Sequence, residues 1–182
     1  MRKLLLLAAA IVSFGLVEAV AHGAHKEKAH TILSFGTMYG VDGPFVGDAN
    51  PMRNVVGDES PWVVGSANGK LDSKGNLSIK VHKLVFKDDP SVPADKRGTN
   101  DESEFRGLVS CVTEESETSI GVRNVITAGF HATTTGNSTI HAKIDLPNPC
   151  VAPIVMVLAG SEDKWFAVSG FEAEEAASTS AR

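Results

Sequence analysis

The 182-residue chain is poor in cysteine, in aromatic side chains and in excess positive charge. Its two cysteines, Cys111 and Cys150, are too few for a thiolate metal site, which takes three or four ligands. Aromatics make up 6% of residues and the formal net charge is −5. No basic stripe runs along the chain, so neither nucleic acid nor an anionic membrane surface is an expected partner. No apolar run approaches the ~20 residues of a spanning helix. Signatures of chemistry are missing too. There is no G-x-S-x-G elbow, no phosphate-binding loop and no dinucleotide fingerprint. Asp88, Asp89, Asp95, Asp101 and Glu102 share one loop, but without the spacing of an EF-hand, so a solvated, mobile loop is expected.

What is present begins with an export signal. Arg2 and Lys3 precede an apolar stretch over residues 4–17, and Ala19-Val20-Ala21 supplies a small-x-small cleavage pattern. Residues 1–21 therefore read as a signal peptide. Its removal takes away two basic side chains and one acidic one, moving the net charge from −5 to −6. A secreted, periplasmic or extracellular location follows, with no membrane insertion after processing. In such a compartment an even pair of cysteines reads as a disulfide, Cys111–Cys150.

Residues 22–29 form a polar, flexible leader with His22 and His25. Cleavage after Ala21 would give His22 a free α-amine beside its imidazole, with His25 close enough to add a third nitrogen. Cleavage one residue later would place His25 third from the amine. Both arrangements favour copper. A solvated leader without a metal is the competing reading.

From residue 30 the pattern is alternation. Strands are expected over residues 30–41, 62–72, 77–86, 105–113, 119–132, 138–146, 152–158 and 165–171, with turn chemistry between them. Leu33, Phe35, Thr37 and Tyr39 fall on one face of the first. In the third, Leu77, Ile79 and Val81 alternate with Ser78, Lys80 and His82; the apolar phase then slips by one at Leu84 and Phe86. A bulge at His82 or Lys83, or the strand leaving the core, would explain the slip. The strand over 119–132 should break at Asn124 or Gly129. The run 152–158 suits a strand buried on both faces, with Pro153 at its start. No segment after the signal sustains a 3.6-residue period. The fold class is all-β: an antiparallel β-sandwich or small β-barrel of about eight strands with one disulfide. Residues 30–171 form a single β domain, and residues 172–182 a small, acidic, disordered tail.

The remaining candidates are few. His82 and His141 oppose the apolar phase and His131 borders a turn, so all three are expected at the surface. Trp62 and Trp165 begin apolar strands, which suits the core better than a ligand groove. Ser66 has no catalytic frame, and Cys111 loses its thiolate to the disulfide.

Several segments together resemble a group of small exported bacterial β-proteins of unknown function. They are Pro61-Trp62-Val63, Leu108-Val109-Ser110-Cys111, the Cys150-Val151-Ala152-Pro153 segment and the closing Trp165-Phe166-Ala167-Val168-Ser169-Gly170-Phe171 strand. The resemblance spans most of residues 60–171. It implies a bacterial source and supports the Cys111–Cys150 pairing; it carries no activity and no functional residue. A secreted, non-enzymatic binding or structural domain with an unidentified extracellular ligand or surface component fits best. A copper protein using His22 and His25, and a small hydrolase with a spatially assembled site, are the alternatives.

Overall fold

The computed structural model describes residues 28–171. Ten strands lie among them: β1 Thr31–Phe35, β2 Met38–Gly40, β3 Val56–Gly57, β4 Trp62–Asp72, β5 Asn76–Phe86, β6 Glu104–Ser116, β7 Ser119–His131, β8 Ser138–Lys143, β9 Val151–Ala159 and β10 Lys164–Ser169. They form an open sandwich of two sheets. One has the order β1-β4-β5-β8; the other has the order β2-β10-β9-β6-β7, with β3 added on β10. Pairing is antiparallel except for the short parallel contact of β3 with β10. Expected fold class and observed fold agree, and the barrel alternative falls away.

Alternation builds the interior. Leu77, Ile79 and Val81 of β5 and Ile140 of β8 are buried on one side; Phe105, Val109 and Cys111 of β6 and Val155 and Val157 of β9 meet them from the other. Gly107 of β6 faces the smaller sheet across this interior with little room to spare. A Cβ there would stand 3.2 Å from Ile79 and Leu77 and 3.4 Å from Ile140. Across the other end, Trp62 of β4 stacks on Phe166 of β10 with ring centroids 3.8 Å apart, and lies 4.2 Å from Phe86 of β5. Both tryptophans are buried, as expected.

Several details differ from expectation, each for a local reason. The strand expected over 30–41 is two strands in different sheets. The chain bends at Gly36 and Thr37, so Leu33 and Phe35 pack from one sheet and Met38 from the other, while Thr37 is exposed. No bulge occurs at His82 or Lys83, and β5 stays in the core. Pairing with β4 keeps its register through Ser66↔His82 and Val64↔Leu84. Lys83 instead adopts a left-handed backbone (φ 53°), which rotates Leu84 and Phe86 inward. Gly65 permits this, because a Cβ there would lie 2.9 Å from the Lys83 Cβ.

β7 runs unbroken through Asn124 and Gly129. Its irregularity is an extra residue at Thr127–Ala128, between the pairs Leu108↔Ile126 and Arg106↔Gly129. There Thr127 Oγ1 accepts the Gly107 N–H at 2.9 Å, a ladder donor the bulge would orphan. Pro153 lies inside β9 and not at its start. It falls with Ala152 (φ 46°) in a register shift opposite Ser110 and Val112, where its missing N–H leaves no gap in the ladder. Val155–Ala159 of that strand is buried on both faces, as expected.

Two loops are better anchored than their composition suggests. Residues 87–103 form a series of turns that bury Val92 in the core and Asn100 against Glu102 and Thr133 carbonyls. Within this loop Asp88, Asp89 and Asp101 contact Arg97, Ser91 and Lys96, while Asp88, Asp95 and Asp101 stay exposed to solvent. Residues 42–61 form a strap over the outer face of the larger sheet. Phe45 packs edge-on to Trp165 and Tyr39; Arg53 bonds Ala152 O at 3.1 Å and receives Asn124 Nδ2 at 2.9 Å. That cover explains why Leu108, Met156 and Leu158, which point away from the smaller sheet, are fully buried.

Candidate functional site

Two constellations of polar side chains stand out. The first is a corner where the strap enters β4. Asp58 is held there by its own backbone, which donates to Trp165 O at 3.2 Å and accepts from Gly47 N at 2.8 Å. Its Oδ2 accepts the Trp62 Nε1–H at 2.8 Å and the Ser60 N–H at 3.1 Å. Burial pushes the Asp58 carboxyl above its usual range and outweighs the opposing pull of the Trp62 hydrogen bond. Glu59 and Glu162 bring carboxylate oxygens within 4.8 Å of Asp58 and of one another.

Three carboxylates so placed resemble the oxygen set of a hard-cation site. This corner, however, carries its own cation. Lys164 bonds Glu162 at 2.7 Å and also Glu59, and the two carboxylates raise its pKa. The ammonium pairs with two of the three carboxylates, and the corner reads as a structural clasp between the residues after β3, the turn before β10 and the start of β10.

A pH consequence follows from Asp58. Its folded pKa lies above the unfolded one, so the folded state holds its proton more tightly. Stability from this group is greatest at low pH and falls as pH rises from about 3.8 through the folded value. Asp58→Asn keeps an acceptor for Trp62 and removes the charge. Relative to the parent, this variant is expected to gain stability between pH 3 and pH 7 in denaturant titrations; a relative loss over that interval would contradict the assignment.

The second constellation is the outer face of the smaller sheet. Side chains of the polar phase of β4, β5 and β8 meet there in register. Ser34, Lys70, Ser78 and His141 stand in one row across four strands; Asn68, Lys80 and Thr139 form the next row, and Asp72, Asn76 and Lys143 another. Lys70, Lys80, His82, His141 and Lys143 are all exposed. Part of this face is a shallow groove of about 440 Å³ between Lys70, Asn76, Ser78, His141 and Lys143. One carboxylate, Asp72, stands in it. Its oxygens are occupied by the Asn76 side chain at 2.6 Å and by the N–H groups of Asn76 and Lys74, which hold its pKa below the usual range.

Comparison with family models, curated proteins and solved structures finds no match.

The candidates named from sequence are placed as follows. Cys111 and Cys150 are joined, with Cα atoms 5.0 Å apart. The bridge ties β6 to the residue preceding β9, its neighbour in the same sheet, and does not close one sheet on the other. His22 and His25, with the copper reading, lie outside the described residues, as does the tail from residue 172. His82, His131 and His141 are exposed as expected; His82 Nδ1 lies 3.0 Å from Asn137 Oδ1. Among the described residues no histidine belongs to a cluster with metal-ligand geometry. Sequence reasoning missed Lys70, Lys80 and Lys143 as a group. Each lies on the polar phase of its own strand, but their convergence depends on strand pairing across up to 73 residues of separation.

Proposed function

We propose that this chain is an exported, non-enzymatic binding domain that meets an acidic partner outside the cytoplasm through the outer face of its smaller sheet. The difference between the two outer faces carries this reading. The apolar centre of one is covered by the strap over residues 42–61; the other carries no such cover and presents Lys70, Lys80, His141 and Lys143 to solvent. Three lysines elsewhere are held in ion pairs, Lys87 with Asp42, Lys96 with Asp101, and Lys164 with Glu59 and Glu162, while Lys28, Lys74 and Lys83 are exposed and make none. Lys70 and Lys80 have no carboxylate within ion-pair distance, and Lys143 feels Asp72 only through space. In a chain of net charge −5, three lysines outside any ion pair, Lys70, Lys80 and Lys143, gathered on one open sheet face are able to attract an anion there. The disulfide suits an oxidising compartment, in keeping with the signal at residues 1–21.

The test has two parts. Expression of the full chain in a bacterial host, followed by N-terminal sequencing and mass measurement, should give an exported product beginning at His22, two hydrogens lighter than the reduced chain. An unprocessed cytosolic product would overturn the export reading. Asn68→Trp then places a bulky indole in the middle of the open face. It should melt like the parent yet no longer bind washed cell envelopes; undiminished binding would overturn the choice of surface.

A further inference from the structure

The chemistry of that open face narrows the partner, on the premise that the face is the contact surface. Four kinds of polyanion could meet a basic sheet, and the residues present discriminate among them. The rows on β4, β5 and β8 contain no aromatic side chain, so bases of a nucleic acid would find nothing to stack on. They contain no large apolar side chain to enter a bilayer. They contain no arginine, tyrosine or tryptophan, the usual anchors of a protein interface. What they do contain is hydroxyl and amide groups, Ser66, Asn68, Ser78 and Thr139, interleaved with lysine and histidine.

Spacing adds a second constraint. Lys70 and Lys80 are on adjacent strands one same-face step apart, which sheet geometry puts at about 8 Å; Lys143 lies about 12 Å from Lys70 and about 14 Å from Lys80. These are backbone spacings, and the flexible lysine stems extend the reach of each charge by several ångströms. An extended chain with charges at intervals meets all three without drawing the ammonium groups together against their mutual repulsion. We infer that the face between Lys70, Lys80, His141 and Lys143 binds a linear acidic polysaccharide, with lysines on its carboxylates or sulfates and the Ser, Asn and Thr side chains on its hydroxyls. The Asp72 carboxylate, already committed to Asn76, stands at one end of the groove and sets a limit on how far the polymer extends there.

The experiment uses the exported, oxidised chain and measures binding to polygalacturonate, to neutral dextran and to phosphatidylglycerol vesicles. Binding to polygalacturonate is expected, with none to dextran and none to vesicles. It should weaken steeply as salt rises from about 50 to 300 mM, where screening shortens to below 10 Å. The triple variant Lys70→Gln, Lys80→Gln, Lys143→Gln should lose at least tenfold in affinity with an unchanged melting point, while Lys96→Gln, off this face, should bind like the parent. Preference for vesicles, equal binding to dextran, or no effect of the triple variant would each overturn the assignment. If Asn68→Trp abolishes envelope binding and the triple variant does not, the surface stands and the acidic polysaccharide is the part that fails.

Discussion

Trp62→Ala is expected to destabilise the domain by about 4 kcal/mol or more, at the upper end of the usual range for removing a buried aromatic. Against a typical total of ~5–15 kcal/mol, that leaves the protein marginal or unfolded at 37 °C. Three losses combine. The indole is 2% exposed and fills the space between the sheets. It stacks on Phe166 at 3.8 Å and lies against Phe86, so its removal uncouples β4 from β10. Its Nε1–H also satisfies the buried Asp58 carboxylate. Trp62→Phe separates the effects. It keeps most of the ring contact but orphans the carboxylate, at about 1–3 kcal/mol. With the bond that lowers it gone, the Asp58 pKa should rise further, steepening the loss of stability as pH increases through the weakly acidic range. Denaturant unfolding at pH 4 and pH 7 measures both. A Trp62→Ala loss below about 1 kcal/mol would show that the corner does not hold the sheets together.

What could be read from the sequence was what depends on near neighbours. The two-residue period of Leu77, Ile79 and Val81 announced β5 because the pleat itself sets that period. The burial of Val155–Ala159 on both faces was legible in the same way, as an unbroken apolar run. Features that depend on partners were not. Nothing local to residues 30–41 says that β1 joins β4 while β2 joins β10; the bend at Gly36 makes sense only once both sheets exist. The phase slip after Val81 was visible, but a bulge and a left-handed residue leave the same mark on the sequence, and Gly65 on the opposite strand selects the second. The larger sheet's outer face was hidden for a related reason. Phe45, Met52 and Val55 sit among glycines and prolines that signal turns, and only the fold shows them lying over Trp165 and its neighbours as a cover. The basic face is the functional counterpart: three lysines on three strands, each unremarkable on its own polar phase, become a surface when β4, β5 and β8 pair.

Removing the Cys111–Cys150 bridge is the second change with a large expected effect. The cysteines are 39 residues apart, and chain-entropy reasoning for such a loop gives about 4 kcal/mol of stabilisation through the unfolded state. The route of the loop shows why that constraint matters here. From Cys111 in β6 the chain forms β7 in the larger sheet, crosses to the smaller sheet as β8, and returns at Cys150 to re-enter the larger sheet as β9. The bridge thus closes an excursion between sheets, the kind of long-range pairing whose closure entropy must otherwise be met before any contact rewards it. At roughly 2–4 °C per kcal/mol for a domain of this size, the double variant Cys111→Ala, Cys150→Ala should melt about 10 °C below the parent. Treatment of the parent with reductant should bring it near the same value. The two measurements need not coincide, because alanine also removes the sulfur that Cys111 places in the core, where it is fully buried. A variant melting lower than the reduced parent would locate the difference in packing. An unchanged melting point in reductant, with reduction verified by mass, would show that β6 and β9 hold their register without the covalent tie.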